Sequence, residues 1–465
     1  MARVPILMDF AGIASVAGGR LVREGRSRGF SSVCIDSRKA KLGALFVAIK
    51  GAFQDGHCYA RAALEAGATG LLASRAALED SSLGLVALAE TSGVALVAVE
   101  DTIKALQDGA RAYLGRFPTL IRVGITGSSG KTTTKEIAAG MIVKEKRVVM
   151  NPGNLNSETG LPLAVFNVRS EHEVGIFELG MDHKGEIAAL ARILKPHIAL
   201  ITNIGTAHIG MIGSQRAIVE EKRAIFGEFT GTEMALIPAD SPWREVLAGG
   251  VWGRALFYGS ANLEEFGKVK SLGIEGSEVT WEGVRIRFGL PGRHNLRDAL
   301  AASAIARAVP VSDEAIRQGL ASVQPLFGRS EIVRGLVTVI RDCYNSNPDS
   351  AKAALDFCDS LDWPGRKLYV IGSMLELGPE SAAAHRELGQ RIAASQADQV
   401  FFFGAETLAA TESLAGGKIP FYYTDNMDEL YRAVSERLSG GDLILLKGSR
   451  GCALERLDGL FGGLH

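Results

Sequence analysis

The sequence has few cysteines, almost no net charge and no long apolar run. Its five cysteines are scattered among 465 residues without a C-x-x-C pair, so neither a disulfide framework nor a zinc knuckle is indicated. A net charge of −1 provides no overall attraction to nucleic acid or an anionic membrane. No apolar segment approaches the roughly 20 residues of a membrane span. We therefore expect a cytoplasmic protein that neither binds nucleic acid nor inserts into a membrane.

The length predicts several domains. At roughly 150 residues per domain, 465 residues suggest about three. Strand-like and helix-like patterns alternate in three stretches, 1–117, 118–324 and 325–465. The first boundary is placed at Pro118 because the residue before a proline resists the α conformation, and the second lies beside Pro325.

Short apolar runs separated by alanine-rich segments predict an α/β fold. In the third stretch, five strands alternate with helices, which favours an open, mainly parallel sheet. A period-2 segment over 279–288, broken at Glu282-Gly283, predicts a hairpin appended to the central stretch. The predicted strands are 43–49, 70–74, 95–99, 121–126, 174–178, 197–204, 235–238, 337–343, 367–371, 399–403, 421–424 and 442–447. The predicted helices include 59–66, 103–117, 132–143 and 295–308.

The strongest motif is a glycine-rich loop, Gly124-Ile-Thr-Gly-Ser-Ser-Gly-Lys131-Thr132-Thr133, between a predicted strand and a predicted helix. Backbone N–H groups of such a loop bind phosphate, the lysine meets the β- and γ-phosphates, and the following hydroxyl ligates Mg²⁺. Ile125 stands where the usual pattern begins with glycine. The predicted ATP-binding residues here are Gly127, Ser128, Ser129, Gly130, Lys131, Thr132 and Thr133.

A phosphate loop alone leaves kinases, GTPases, motors and ligases open. The form Gly-Ile-Thr-Gly-Ser-x-Gly-Lys-Thr-Thr resembles that of the Mur ligases, which build the peptide stem of bacterial cell-wall precursors. Other segments extend the resemblance over nearly the whole chain. They are Asn154-Leu-Asn-Ser-Glu-Thr-Gly-Leu-Pro162, Glu178-Leu-Gly-Met-Asp-His-Lys-Gly-Glu186, Thr202-Asn-Ile-Gly-Thr-Ala-His208, Gly292-Arg-His-Asn295 and Asp342-Cys-Tyr-Asn-Ser-Asn-Pro348.

The resemblance implies an N-terminal α/β substrate domain, a central P-loop ATPase-like parallel sheet with a hairpin, and a C-terminal Rossmann-like domain. Leu375-Glu-Leu-Gly378 and Leu446-Lys-Gly-Ser-Arg450 resemble the member that joins D-alanyl-D-alanine to UDP-N-acetylmuramoyl-tripeptide. The Asp-Asn-Pro-Arg signature of the member that adds the preceding diamino acid is absent. The implied reaction activates a carboxylate as an acyl phosphate, which the incoming amine attacks.

Phosphoryl transfer needs cations that offset developing charge. By resemblance, Thr132 and Glu178 ligate a first Mg²⁺, His208 ligates a second, and Lys222 as a carbamate would bind magnesium. The implied catalytic set is Lys131, Glu178, His208 and Lys222. Lys222 matches a lysine that several Mur ligases carry as a carbamate, and the alternative for it is a solvated helix lysine beside two glutamates.

Further contacts with the nucleotide are also implied by resemblance. Asn295 would lie near ATP, Arg329 would reach its phosphates, and Asp342 would accept the ribose hydroxyls, although aspartates at such positions are also common helix caps. Closure of the third domain would then complete the ATP site. Asp298 replaces an asparagine usual after Gly-Arg-His-Asn, which leaves finer nucleotide contacts open.

The substrate candidates lie at the two ends of the chain. By resemblance, the UDP-sugar would contact Ser37, Arg38, Asp55 and His57. Lys447, Ser449 and Arg450 would contact the peptide or the dipeptide, with an exposed basic loop as the alternative. Rival assignments are a folylpolyglutamate- or cyanophycin-synthetase-like ligase and a nucleotide-switch protein without ligase chemistry. We expect a monomer that uses ATP and two Mg²⁺ ions.

Overall fold

The computed structural model of the chain describes residues 5–462. The chain forms two compact units. The first is built from residues up to 124 together with 147–180 and 186–196, and the second from residues 125–146, 181–185 and 197 onward. The division falls within a single buried strand, between Gly124 and Ile125.

Strands and helices alternate along most of the chain. The strands are β1 (Met8–Asp9), β2 (Arg20–Arg23), β3 (Gly29–Phe30), β4 (Ser32–Cys34), β5 (Ala44–Val47), β6 (Gly70–Ser74), β7 (Ala95–Val99), β8 (Ile121–Thr126), β9 (Val148–Met150), β10 (Val174–Glu178), β11 (Ile198–Ile201), β12 (Met234–Pro238), β13 (Arg254–Tyr258), β14 (Val269–Ser271), β15 (Ser277–Trp281), β16 (Val284–Phe288), β17 (Glu331–Arg334), β18 (Thr338–Asp342), β19 (Lys367–Gly372), β20 (Gln399–Phe403), β21 (Phe421–Thr424) and β22 (Leu443–Lys447). The α-helices are α1 (Phe10–Val16), α2 (Ala60–Glu65), α3 (Arg75–Glu79), α4 (Leu85–Ser92), α5 (Thr102–Leu114), α6 (Lys131–Ile142), α7 (Gly160–Val165), α8 (Glu186–Leu194), α9 (Ile209–Ile212), α10 (Gln215–Arg223), α11 (Arg244–Ala248), α12 (Arg293–Ala308), α13 (Asp313–Ser322), α14 (Pro348–Ser360), α15 (Ser381–Ala393), α16 (Leu408–Thr411) and α17 (Met427–Ser435).

The first unit contains a five-stranded sheet in the order β2-β7-β6-β5-β4. Strands β4 to β7 are parallel, and β2 joins the edge antiparallel to β7. Every residue of β7 is buried, as expected for a parallel strand covered on both faces. Asp101 caps α5 by accepting from the backbone N–H groups of Ile103 and Lys104.

The second sheet has six strands in the order β13-β12-β11-β8-β10-β9. The pairs β9–β10, β11–β12 and β12–β13 are parallel. The predicted hairpin is confirmed as β15 and β16, which pair antiparallel and are extended by β14. Glu282 and Gly283 at its turn both have positive φ, 46° and 78°, as a two-residue hairpin with the right-handed strand twist requires.

The third sheet has the order β17-β18-β22-β19-β20-β21. The five predicted strands are confirmed and are parallel, and β17 pairs antiparallel with β18 at the edge. Apolar cores cover both faces of this sheet. Asn347 begins α14 with a capping box completed by Ser350, and Pro348 occupies the first turn.

The five cysteines are all reduced, and only Cys58 is exposed. Burial raises the pKa of the Cys34 and Cys452 thiols to about 11 and that of Cys343 to about 12. Burial likewise raises the pKa of Cys358. Across residues 5–462, no helix combines the length and apolarity needed to cross a bilayer.

Candidate nucleotide and cation site

The glycine-rich loop connects β8 to α6, which begins at Lys131 and buries Thr132 and Thr133 in its first turn. Two of the loop's glycines are sterically required. Gly130 caps α6 with φ of +76°, and a Cβ on Gly127 would lie 1.8 Å from Oγ1 of Thr202. The geometry is that of a phosphate-binding loop at a helix N-terminus.

Asn203, which lies just after β11, stabilises this loop through hydrogen bonds. Its side-chain oxygen accepts from the backbone N–H groups of Ser128 and Ser129, at 3.0 and 2.9 Å. Its amide nitrogen donates to Oγ of Ser129 at 2.6 Å, and Thr202 donates to the carbonyl of Ser129 at 2.6 Å. Sequence analysis assigned no role to Asn203, although it lies within one of the family-like segments.

Two lysines converge on one carbonyl of the loop. Nζ of Lys131 donates to the carbonyl oxygen of Gly127 at 2.8 Å, and Nζ of Lys222 donates to the same oxygen at 3.0 Å. Lys222, on α10, is 1 % exposed. Burial, reinforced by the Lys131 charge, holds the pKa of Lys222 well below its ordinary value. The alternative of a solvated helix lysine is therefore wrong.

Glu178 ends β10, inside the first unit, where it is 3 % exposed. Asn156 donates to its Oε1 at 2.7 Å. Asn151 fixes the backbone of Glu178 by accepting from its N–H at 2.9 Å and donating to its carbonyl at 3.2 Å. The two asparagines, which sequence analysis did not single out, thus orient a buried carboxylate.

His208 precedes α9 in a left-handed backbone conformation, with φ of 62°. Its Nδ1 lies 3.4 Å from Oδ1 of Asp182 and 3.1 Å from Oε2 of Glu376. The three ligand atoms lie within 4.8 Å of one another. The structure therefore places His208 with two carboxylates that sequence analysis did not select.

The start of α12 lies against the loop through Asp298. A Cβ on Gly130 would lie 2.1 Å from Oδ1 of Asp298, and burial raises the pKa of this carboxyl well above its usual range despite Arg329 nearby. Asn295 is buried and donates to the carbonyl of Pro291 at 2.7 Å. In this structure, the Asn295 amide holds the helix start.

Arg329 and Asp342 lie in the C-terminal part of the chain. The Arg329 guanidinium stacks 4.1 Å above the centre of the Tyr344 ring. Asp342 accepts from the N–H of Ser330 at 3.1 Å, and its Oδ2 lies 3.1 Å from Nζ of Lys447. The contact between Asp342 and Lys447 follows from the strand register, in which Asp342 of β18 pairs with Lys447 of β22.

The alternative of an exposed basic loop is wrong for two of the three candidate residues between 447 and 450. Lys447 and Ser449 are 2 % and 3 % exposed. Ser449 accepts from the N–H of Leu375 at 2.9 Å, whereas Arg450 is exposed and pairs with Glu455 at 2.6 Å. Only Arg450 therefore presents its charge to solvent.

The candidates at 36–38 form a short turn at the surface. Asp36 accepts from the backbone N–H of Arg38, and its carboxylate pairs with the Arg38 guanidinium at 2.8 Å. This pairing lowers the pKa of Asp36 to about 2. Ser37 lies between them and is half-buried, while the Arg38 side chain is 87 % exposed.

His57 is buried and uses both ring nitrogens inside the protein. Its Nδ1 lies 2.5 Å from Oδ1 of Asp55, and its Nε2 accepts from the N–H of Ser74 at 3.1 Å. Nε2 is thus an acceptor, and Nδ1 is the ring nitrogen that faces the Asp55 carboxylate. These two contacts hold the loop that carries Asp55 against the end of β6, and so fix the position of that loop.

We expect His57→Ala to destabilise the protein by about 2–4 kcal/mol, because it removes a buried ring and leaves the Ser74 N–H and the Asp55 carboxylate without this partner. Urea unfolding of the full chain measures the effect. Cys58→Ala is the matched control on the exposed neighbouring side chain, and its effect should be about 0.5 kcal/mol or less. Equal unfolding midpoints for the two variants would contradict the structural role of His57.

The phosphate loop and the segment that follows β11 both contact the start of α14. Oδ2 of Asp349 accepts from the N–H of Thr206 at 3.1 Å, and the Asn347 amide donates to the carbonyl of Ser128 at 3.4 Å. Both contacts lie within the second unit. They join the phosphate loop to the segment that follows Asp342, which sequence analysis assigned to nucleotide binding.

Comparison with protein families gives three matches along the chain. Residues 30–144 match the Mur ligase family catalytic domain, residues 125–306 the Mur ligase middle domain, and residues 328–450 the Mur ligase glutamate ligase domain. The matches include the phosphate loop, His208, Lys222 and the strands that carry Asp342 and Lys447.

Full-length relatives agree with these matches. The UDP-N-acetylmuramoyl-tripeptide–D-alanyl-D-alanine ligase of Treponema pallidum is 43 % identical, with 96 % of this chain and 97 % of the relative covered. Among solved structures, MurF from Acinetobacter baumannii superposes with a TM-score of 0.83 at 27 % identity, covering 96 % of this chain and 97 % of that one. MurF from Thermotoga maritima in complex with ADP gives a TM-score of 0.76 at 28 % identity, with 92 % and 96 % covered.

The three-domain α/β architecture with parallel sheets is that of the solved MurF structures. The similarity to Mur ligases inferred from the motifs is thus confirmed. From the matched domains and the near-complete coverage of a relative 43 % identical, we conclude that this chain belongs to the Mur ligase family.

Proposed function

We infer that this chain is an ATP-dependent ligase that joins D-alanyl-D-alanine to UDP-N-acetylmuramoyl-tripeptide. The observation that carries the inference is the full-length similarity to the Treponema pallidum ligase of that name, at 43 % identity. The phosphate loop, to which Lys222 of α10 donates a hydrogen bond, supports ATP use, as does the resemblance to a MurF structure that holds ADP.

The reaction proceeds in two steps. The γ-phosphoryl group of ATP passes to the terminal carboxylate of the tripeptide, which gives ADP and an acyl phosphate. The amine of D-alanyl-D-alanine then attacks the acyl carbon, phosphate leaves with the C–O bond electrons, and the amine loses a proton. Lys131 offsets the charge that develops on the transferred phosphoryl group.

Two Mg²⁺ ions are part of the proposal, and the donor chemistry of the residues fits them. The Thr132 hydroxyl and the Glu178 carboxylate supply the oxygen ligands that Mg²⁺ prefers. When bound, magnesium would offset negative charge on the phosphates. Asn151 and Asn156 keep the Glu178 carboxylate oriented in its buried position.

We also propose that Lys222 reacts with CO₂ to form a carbamate. Its lowered pKa favours the neutral amine, which is the form that attacks CO₂. The new C–N bond converts the amine into an anion and releases one proton. The product would bring a negative charge beside the Lys131 ammonium and so create an attraction that the neutral amine of Lys222 does not provide.

The proposed substrate contacts follow the sequence prediction with one change. Ser37, Arg38 and Asp55 would contact the UDP-sugar, whereas His57 uses both ring nitrogens inside the protein and would fix the loop instead. The proposed domains are residues 1–117 for the UDP-sugar, residues 118–324 for ATP, and residues 325–465, which form the Rossmann-like domain. In this last domain, the sequence prediction is that Lys447, Ser449 and Arg450 contact the peptide or the incoming dipeptide. Asn295 and Arg329 are proposed to serve ATP, and we propose a cytoplasmic monomer.

Asp342→Asn should raise KM for ATP about tenfold, because a charged acceptor of the ribose hydroxyls becomes a neutral one. A smaller change in kcat is expected, since the ribose lies away from the transferred phosphoryl group. Initial rates at varied ATP measure both constants. Exposed Asp362 provides the control variant Asp362→Asn, and an unchanged KM in Asp342→Asn would remove the ribose role.

The function is tested by measuring phosphate release from Mg-ATP in the presence of UDP-N-acetylmuramoyl-tripeptide, with and without D-alanyl-D-alanine. The mass of the product is determined by mass spectrometry. Release matched one-to-one by pentapeptide establishes the ligase. Release that depends on a different acid or amine would favour a folylpolyglutamate- or cyanophycin-synthetase-like ligase. Slow release that ignores every amine would favour a nucleotide switch.

A further inference from the structure

We propose that Lys447 is a positioning residue for ATP, which acts through Asp342 and through the loop 343–347 that joins β18 to α14. The proposal rests on the ribose role that the proposed function gives to Asp342. For Lys447, it replaces the contact with the peptide or dipeptide that the sequence suggested. Nucleotide binding tests it without ligation, so it can fail independently of the ligase assignment.

The strand register places Lys447 beside Asp342. The two residues end neighbouring parallel strands, β22 and β18, and pair directly with each other. Successive side chains alternate between the faces of a sheet, so paired residues project from the same face. Nζ of Lys447 lies 3.1 Å from Oδ2 of Asp342, and their side chains are 2 % and 17 % exposed. The sheet therefore holds a charge pair at its carboxyl edge, where open α/β sheets bind ligands.

The ammonium group of Lys447 is used entirely inside the protein. An ammonium group has three N–H donors. Besides its contact with the Asp342 carboxylate, Nζ donates to two backbone carbonyls, that of Asp342 at 3.2 Å and that of Asn345 at 2.7 Å. The three donors thus meet three oxygens in a buried side chain. An effect of Lys447 on the reaction therefore passes through the groups that it holds.

The same strand end fixes the rest of the loop. Ser449 donates to the carbonyl of Ser346 at 3.3 Å. Asn347, at the end of the loop, caps α14 and donates to the carbonyl of Ser128 in the phosphate loop at 3.4 Å. Lys447 and Ser449 therefore hold a connection that begins beside the ribose acceptor and ends at the phosphate loop.

A second contact fixes the other oxygen of the Asp342 carboxylate. Oδ1 accepts from the N–H of Ser330 at 3.1 Å. Ser330 is buried, has a left-handed backbone with φ of 52°, and its hydroxyl lies 2.9 Å from Nε2 of His294. Each carboxylate oxygen can accept more than one hydrogen bond, so Asp342 still has lone pairs for ribose hydroxyls. Loss of Lys447 would remove one of the two contacts that orient it.

Electrostatics gives the expected consequence of that loss. Lys447 neutralises the Asp342 carboxylate while no nucleotide is bound, and a partly buried carboxylate without a cation is costly. With methionine at position 447, the carboxylate would lose its cation and the Asn345 carbonyl would lose its donor. Both changes affect the ribose end of the nucleotide. We therefore expect the protein to lose its preference for a ribose that carries hydroxyl groups.

The test compares ADP with 2′,3′-dideoxy-ADP, which lacks both ribose hydroxyls, by isothermal titration calorimetry of the full chain in the presence of Mg²⁺. Wild type should bind ADP about tenfold more tightly, because only ADP donates to the Asp342 carboxylate. Lys447→Met should bind ADP about tenfold less tightly than wild type and prefer it to the analogue by about twofold or less. Lys418→Met, at an exposed lysine, should behave as wild type.

Two further variants separate positioning from a loss of folding. Thermal unfolding shows whether each variant is folded. Lys447→Gln keeps two N–H donors in its amide and should show an intermediate preference for ADP, which provides the test if Lys447→Met does not fold. Adding Lys447→Met to Asp342→Asn should cause no further loss of preference, because both changes act on the same contact.

A wild-type preference for ADP in Lys447→Met and Lys447→Gln would overturn the proposal, as would equal affinity of wild type for the two nucleotides. A higher KM for D-alanyl-D-alanine with unchanged ADP binding would also overturn it, and would return Lys447 to the dipeptide site. Ligation by wild type is assayed separately. A protein that prefers ADP to the analogue but forms no pentapeptide would lose only the ligase assignment.

Discussion

Lys131→Ala is expected to lower kcat/KM for ligation by ~10³-fold or more, equivalent to about 4 kcal/mol of transition-state stabilisation. Lys131 begins α6, and its ammonium lies 2.8 Å from the Gly127 carbonyl, at the loop that would hold the phosphates. Removing it takes away an ammonium group at the phosphate-binding loop. The measurement is pentapeptide formation at varied ATP.

Lys144→Ala is the matched control for this variant, because Lys144 is exposed just beyond the end of α6. It should ligate at the wild-type rate. A Lys131→Ala protein that retained more than a tenth of the activity would show that phosphoryl transfer does not depend on this lysine, and the proposed mechanism would fail.

Lys222→Met should lower kcat by about 10²-fold or more, because a neutral side chain cannot form the carbamate that places an anion beside Lys131. Wild-type activity should fall when dissolved CO₂ is removed and return when bicarbonate is added. With ¹³C-bicarbonate, wild type should give a carbamate resonance that Lys222→Met lacks.

Lys184→Met provides the control, since Lys184 is exposed and should retain both the bicarbonate response and the resonance. If wild type shows neither the resonance nor any response to bicarbonate while Lys222→Met is inactive, then Lys222 acts as an unmodified amine. Full activity in Lys222→Met would remove it from the catalytic set altogether.

Buried strands were predicted well because each is a continuous apolar run ended by a polar or glycine residue. The predictions at 121–126 and 174–178 coincide with β8 and β10, which are largely or wholly buried. Strands β2, β13 and β17 are among those that were not predicted. They lie at sheet edges with half-exposed, partly charged residues, so neither a run nor a clear alternation marks them.

The site was predictable where one short segment supplies the chemistry, as in the phosphate loop. It was not predictable where the partner is distant in sequence. Asn203 and Glu376 acquire their roles only when β11 and the segment after β19 approach other segments. The sequence also does not give burial. It left a solvated side chain open as the alternative for Lys222 and Lys447, and the structure buries both.

The distribution of the cysteines makes this chain suitable for a fluorescent reporter. Four thiols are buried, and burial raises the pKa of each, so alkylating reagents would meet little thiolate there. Cys58 is exposed and directly follows His57, in the loop proposed to contact the UDP-sugar. An environment-sensitive dye attached to the unmodified protein would therefore label one position. The fluorescence of this dye would then report binding of the UDP-sugar in real time, and no cysteine would have to be introduced.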